Sequence, residues 1–124
     1  MSFCTAVNCM DGRVQRPVVD YLTEHLGVDH VDMITEPGPN RILAERTDQV
    51  TVDSICRRVD VSVGQHGSRA IAVIGHHDCA GNPADRAEQA AQTAAAVALL
   101  AERYPQAKVF GLWVNDRLQV EPGP

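Results

Sequence analysis

The chain has 124 residues, a formal net charge of −5 and 44% hydrophobic residues, of which few are aromatic. This length is that of one compact domain, so we expect a single domain over residues 1–124. The acidic balance argues against nucleic acid or an anionic membrane as a partner, because such binding depends on neutralising phosphate charge. No run approaches the roughly 20 apolar residues of a membrane span, and no signal-peptide pattern is present. We therefore predict a cytoplasmic protein that acts on a small molecule.

Apolar runs alternate with helix-like spacings in the first half of the chain. An apolar run flanked by polar residues predicts a buried strand over residues 3–8. A proline in a first turn, apolar residues on one face and Gly27 as a stop predict a helix from Arg16. A second strand is expected over residues 31–35, and the Pro-Gly-Pro-Asn run at 37–40 indicates a turn.

The same alternation continues in the second half. The predicted elements are a helix capped by Thr47 or Asp48 and stopped by Gly67, a strand over residues 70–75, a helix opened by Asn82 and Pro83 that ends near residue 103, a strand over residues 109–114 and a short fifth strand over residues 118–120. The alanines of the last helix suit close packing against a sheet or another subunit, although helix propensity alone is the favoured explanation.

Strands that alternate with helices predict an α/β fold of three layers, with helices on both faces of a mostly parallel sheet. For so short a chain we expect the strand order 2-1-3-4, with the fifth strand antiparallel at the edge. This order makes the first and third strands neighbours. Ligands bind beyond the carboxyl ends of such strands, at the point where the winding direction reverses. The candidate functional residues are therefore those that follow Asn8 and Gly75.

Two cysteines and a histidine occur at these two places. Cys9 follows the first strand, and His76 and Cys79 follow the third. In a reducing compartment such cysteines favour a metal site over a disulfide, although buried cysteines also serve simply as small apolar residues. Two thiolates and one imidazole form a tetrahedral Zn²⁺ set with one position open, which is typical of a catalytic site. His77 could replace His76, but only His76 has the His-x-x-Cys spacing.

An open zinc position would lower the pKa of a bound water and supply a hydroxide nucleophile near neutral pH. Two thiolates weaken this effect because they cancel the charge of the metal, so a neighbouring group is needed. Asp11 could accept a hydrogen bond from the bound water or occupy the fourth position itself, and Arg13 could hold Asp11 oriented and ionised. Asp78 suits either a supporting contact or a turn, and His77 either a proton transfer or simple exposure.

The two motifs resemble those of a known family. The Cys-x-Asp-x-Arg run at 9–13 followed by His-x-x-Cys at 76–79 is similar to the signature of the β-class carbonic anhydrases. The resemblance implies that Cys9, His76 and Cys79 bind zinc. It also implies that Asp11 and Arg13 form a dyad that governs whether water or Asp11 takes the fourth position. The runs AIAVIGHHDC and VFGLWV extend the likeness over most of the chain.

The chain departs from the family pattern in three features. The family carries an N-terminal helical arm that embraces a partner subunit, and nothing before Phe3 corresponds to it. Its pocket is lined by aromatic residues and a glutamine, partly from the neighbouring chain, and such a wall cannot be assigned here. The glycine that usually follows the second cysteine is displaced, because Ala80 comes before Gly81. The likeness is thus to a minimal member of the family.

The resemblance implies a zinc-dependent lyase that hydrates carbon dioxide reversibly to bicarbonate, acting as a homodimer or higher homo-oligomer. A zinc-bound hydroxide would attack the carbon while the dyad of Asp11 and Arg13 orients it. Two alternatives remain open at this point. The same zinc site could hydrolyse carbonyl sulfide or carbon disulfide, or the chain could be a non-catalytic module that binds zinc or senses a ligand.

Overall fold

A computed structural model describes all 124 residues and has a five-stranded sheet with four α-helices. The strands are β1 (Phe3–Cys9), β2 (His30–Glu36), β3 (Ala70–His76), β4 (Lys108–Val114) and β5 (Val120–Pro122). The helices are α1 (Gln15–Leu26), α2 (Pro39–Glu45), α3 (Gln49–Gly64) and α4 (Arg86–Arg103), and a 3-10 turn (Gly12–Val14) precedes α1. No helix combines the length and the apolar composition that a bilayer crossing requires.

The sheet has the order β2-β1-β3-β4-β5, and its first four strands are parallel. This confirms the predicted α/β class and the order 2-1-3-4. The fifth strand is antiparallel to β4, as expected, but it covers Val120–Pro122 and not residues 118–120. The reason is a longer turn: Leu118 has a positive φ of 59° and its amide donates to the carbonyl of Asn115. Leu118 therefore belongs to the turn.

Helices cover both faces of the sheet because side chains alternate along each central strand. On β3, Ala72 and Ile74 pack in a cluster with the apolar residues of α1. Ile71 and Val73 belong to a second cluster that contains the buried residues of α2, α3 and α4. The sheet is thus the middle of three layers, and β3 is buried on both faces.

The structure corrects two predicted elements, which follow the carboxyl ends of β2 and β3. Residues 37–40 do not form a simple turn, because Gly38 caps α2 with a left-handed backbone and Pro39 is its first residue. The last helix begins at Arg86 and is capped by Asp85, whose side chain accepts from the amide of Glu88 at 2.8 Å. Asn82 is not its cap, since the Asn82 side chain is buried and donates to other side chains.

β1 and β3 separate at their carboxyl ends. The last paired residues between them are Val7 and Val73. On the outer sides, β1 pairs with β2 as far as Cys9, and β3 pairs with β4 as far as His76. A crevice therefore opens between the ends of two central strands, at the place where the winding direction reverses.

The loops beside this crevice touch each other closely. A Cβ added at Gly81 would lie 2.6 Å from the Cβ of Pro37, which is nearer than real Cβ contacts allow. The loop after β2 and the loop after β3 can approach this closely only because position 81 has no side chain.

We predict that Gly81→Ala lowers the free energy of unfolding by about 1–3 kcal/mol, because the backbone must shift to admit the methyl group. Gly64→Ala is the control: a Cβ there meets nothing within 4 Å. Since alanine favours helix, this control should be neutral or stabilising by up to about 1 kcal/mol. Urea unfolding of both variants measures the difference, and equal stabilities would contradict the close approach of the loops.

Candidate metal centre

Three side chains with metal-ligating atoms meet at the carboxyl end of the sheet. Cys9 is the last residue of β1, His76 is the last residue of β3, and Cys79 lies in the turn that follows β3. All three are buried, and their ligand atoms lie within 4.8 Å of one another. The structure thus brings together the three predicted zinc ligands. The parting of β1 and β3 leaves the space into which these side chains converge.

His76 has its ring prepared for a ligand. Nδ1 of His76 lies 2.8 Å from the carbonyl oxygen of His77, which can only accept, so Nδ1 carries the proton. The lone pair of the neutral ring is then on Nε2. Nε2 is buried and has no hydrogen-bond partner. It is the one buried side-chain nitrogen or oxygen in the protein that lacks such a partner. An unpaired buried polar atom needs an explanation, and a metal ion at Nε2 supplies one.

The two sulfurs also fit a tetrahedral ion. Sγ of Cys9 and Sγ of Cys79 are 3.7 Å apart. Two thiolates bound at the usual Zn–S length with tetrahedral angles would be separated by about 3.8 Å. The hydrogen bond from Cys79 lowers the pKa of Cys9, against the opposing effect of burial, and so favours the thiolate form of Cys9. A set of two sulfurs and one imidazole is of the type that Zn²⁺ prefers.

Asp11 and Arg13 form a two-pronged ion pair beside this cluster. Nη2 of Arg13 donates to Oδ2 of Asp11 at 2.8 Å, and Nε donates to Oδ1 at 3.1 Å. These hydrogen bonds lower the pKa of the Asp11 carboxyl to about 2. Arg13 also donates to the backbone carbonyl of Asp78 at 3.1 Å, so it joins the loop after β1 to the loop after β3. Asp11 itself is not part of the cluster of three ligand atoms.

Comparison with known proteins agrees with this fold. A protein-family model described as "Putative carbonic anhydrase" matches residues 1–122. The chain belongs to this carbonic anhydrase family. No protein of curated function has a significantly matching sequence.

Solved carbonic anhydrases share the chain's architecture. A carbonic anhydrase from Streptococcus mutans is similar with a TM-score of 0.64 and 20% identity, over 97% of this chain and 81% of that one. A carbonic anhydrase from Glaciozyma antarctica is similar with a TM-score of 0.61 and 16% identity, over 95% and 80% respectively. At these identities the likeness establishes a shared fold. The resemblance predicted from the two motifs is thereby confirmed at the level of family and fold.

Two side chains that the sequence did not single out shape the first loop of this carbonic anhydrase family member. Nε2 of Gln15 donates to the backbone carbonyls of Cys9 at 2.7 Å and Asp11 at 2.9 Å. The side-chain oxygen of Asn8 accepts from the amide of Cys9 at 2.9 Å. Neither contact has a recognisable motif, because each depends on how the chain turns after β1.

A buried polar network behind His76 was also missed. Gln89 on α4 contacts the backbone of His76, and Asn40 on α2 donates to both Gln89 and Thr93 at 3.2 Å. One signal could have indicated it: Gln89 and Thr93 share the helix face of the buried Ala96. Polar residues on the apolar face of a helix need partners inside the protein.

The remaining residues lie as follows. A cleft of about 440 Å³ adjoins Cys79, and its lining includes His77, Arg86 and Trp113. His77 is exposed, and the guanidinium of Arg86 lies 5.3 Å from the centre of the Trp113 ring. One aromatic residue therefore does line space beside the cluster. Cys4 and Cys56 are both buried in the apolar clusters, where they act as packing residues.

We predict that Arg13→Gln raises the pKa of Asp11 from about 2 towards its ordinary value of 3.8. The rise should be partial, because Asp11 still accepts from the backbone amide of residue 13. Because the pKa of Asp11 in the folded protein lies below its ordinary value of 3.8, the ionised carboxylate stabilises the folded state above about pH 3.8. This stabilisation is lost as the pH falls towards 2. Carboxyl NMR titration measures the shift, with Arg16→Gln as the control that should leave it unchanged.

Proposed function

We propose that the protein hydrates carbon dioxide reversibly to bicarbonate at a zinc ion held by Cys9, His76 and Cys79. One observation carries this proposal. A buried imidazole nitrogen without a partner and two sulfurs 3.7 Å apart converge where the central strands of a carbonic anhydrase fold separate. Three protein ligands leave a fourth position for the reacting molecule.

Each ligand has a defined part in holding the ion. When bound, zinc supplies a Lewis acid that makes water a nucleophile near neutral pH. The carbonyl of His77 keeps the proton of His76 on Nδ1, so Nε2 stays free to bind. The lowered pKa of Cys9 favours its thiolate, which is the form that would bind the ion. Cys79, whose pKa is raised by the hydrogen bond to Cys9, gives up its proton as the ion binds.

Asp11 supplies a fixed acceptor for the reaction. Because its pKa is about 2, its carboxylate stays ionised at any working pH and can only accept a hydrogen bond. It would either orient the reacting water or itself serve as the fourth ligand of the ion. Arg13 holds the carboxylate in a two-pronged ion pair. Its hydrogen bond to the Asp78 carbonyl fixes the loop after β1 against the loop after β3.

The remaining steps need only access and a proton acceptor. Carbon dioxide and water yield bicarbonate and one proton, and the proton passes to solvent or buffer. The cleft that His77 and Trp113 line adjoins the site at Cys79 and would give access from solvent on that side. We further propose a homodimer or higher homo-oligomer, which light scattering would test. The cytoplasmic location also stays a prediction.

The zinc ligands are tested first. We predict one equivalent of zinc per chain, and a loss of at least about tenfold in zinc affinity in His76→Ala, because the imidazole nitrogen is removed. His77→Ala is the matched control, since His77 is the neighbouring exposed histidine. Competition with a chromophoric chelator measures both constants. A larger loss of zinc affinity in His77→Ala than in His76→Ala would show that His77, and not His76, is the ligand.

The reaction is tested by stopped-flow hydration of carbon dioxide with zinc content measured in the same samples. The zinc-loaded protein should accelerate hydration over buffer, and Asp11→Asn should lose about 10- to 100-fold in rate while it keeps its zinc. Asp20→Asn, an exposed carboxylate on α1, is the control and should keep the full rate. Bound zinc without any acceleration would contradict the proposed reaction, and sulfide release from carbonyl sulfide would then indicate a different substrate.

A further inference from the structure

The last residue of β3 has lost its neighbour on one side. Backbone pairing between β1 and β3 ends at Val73, whereas β3 continues to His76. In a strand, the amide and carbonyl of one residue point to the same side, and successive residues alternate. His77 donates its amide to Val114 of β4, so the amide and carbonyl of His76 point towards β1, where no strand is within reach.

One side chain occupies the place of the missing strand. Oε1 of Gln89 accepts from the amide of His76 at 3.2 Å, and Nε2 of Gln89 donates to the carbonyl of His76 at 2.9 Å. A primary amide offers one acceptor and two donors, so it can reproduce both bonds of a neighbouring strand. Gln89 thus pairs with the backbone of His76 much as β1 pairs with the earlier residues of β3.

Gln89 is itself held in place. It is 1% exposed, and its Oε1 accepts a second hydrogen bond, from Asn40 at 3.2 Å. The second N–H of its Nε2 is shared between the carbonyls of Asn82 at 3.3 Å and Ala84 at 3.2 Å, on the loop that follows Cys79. A Cβ at Gly75 would lie 3.0 Å from Oε1 of Gln89, so the glycine leaves the space that this arrangement needs.

We infer that Gln89 is a positioning residue for the metal centre. Its side chain replaces the missing strand at the end of β3 and so orients the backbone from which His76 reaches the ion. This inference rests on the proposed zinc function. It adds a residue on α4, thirteen positions beyond His76 and outside both motifs, to the machinery of the site. Gln89 hydrogen-bonds the backbone of His76 and is not among the residues that line the cleft.

A purely structural role makes a different prediction. If Gln89 only filled the interface between α4 and the sheet, its loss would lower stability and leave the folded site unchanged. If it orients His76, its loss also changes the metal geometry in molecules that remain folded. Metal affinity and the cobalt spectrum, measured well below the unfolding temperature, separate the two because both report on the ligands directly.

The experiment compares three variants with the wild-type full chain. Gln89→Met keeps the approximate size and removes both bonds to His76. Thr93→Val is the matched control in the same network, because Thr93 accepts from Asn40 but does not contact His76. Ser62→Ala is a distant control that removes a buried hydroxyl with three hydrogen bonds on α3. Each protein is titrated with zinc against a chelator and with Co²⁺, whose absorption reports coordination geometry.

Gln89→Met should bind zinc about 10- to 100-fold more weakly and show an altered cobalt spectrum. Thr93→Val and Ser62→Ala should lose stability yet keep the wild-type spectrum and an affinity within about twofold. If Gln89→Met does not fold, Gln89→Glu replaces it: it keeps an acceptor for the His76 amide and sets a carboxylate oxygen in place of the donor to the His76 carbonyl, so the same changes are expected.

Two results would overturn the inference alone, namely a Gln89 variant with the wild-type affinity and spectrum, or controls that weaken zinc binding as much as Gln89→Met does. A wild-type chain that binds no zinc would overturn the inference together with the proposed function. The wild-type titration therefore distinguishes the two failures.

Discussion

The arrangement of the site depends on the separation of β1 and β3 beyond Val7 and Val73. Two adjacent parallel strands lie about 4.8 Å apart, which leaves no room for an ion between their backbones. Where they part, Cys9 and His76 can direct their side chains into a shared space, and the turn after β3 adds Cys79. The same separation has a cost, because backbone groups that a strand would have paired are now buried without it.

The polar side chains around the site offset this cost. Gln89 bonds the backbone of His76, Gln15 bonds the carbonyl of Cys9, and Asn8 accepts from the amide of Cys9. A buried network of this kind stabilises only when every member is satisfied, and it then specifies one arrangement. The Nε2 atom of His76 is the exception, since it alone is buried without a partner. Every other buried side-chain nitrogen or oxygen therefore has a hydrogen-bond partner, and the one that lacks a partner is the atom suited to a metal.

The sequence predicted the fold well because alternating strands and helices restrict a short chain to few topologies. The order 2-1-3-4 and the class followed from that alternation, and the antiparallel edge strand was displaced by only two residues. The errors lay at element ends. Asn82 has the features of a helix cap, but its side chain donates a hydrogen bond to Asn40, and Asp85 caps α4 instead. Gly38 and Pro39 suited a turn, but they form the N-cap and the first residue of α2, a helix that packs against α4.

By itself, the sequence determined which residue types stand at the ends of β1 and β3, and hence that a Cys-His-Cys group and an Asp–Arg pair occur there. Those inferences need only local periodicity and motif spacing. The tertiary structure alone decided that Arg13 reaches the carbonyl of Asp78, that His77 directs the ring proton of His76, and that Gln89 stands in for a strand. The contacts of Arg13 and Gln89 join different elements, and all three contacts have backbone atoms as partners, which every residue carries and no motif can specify.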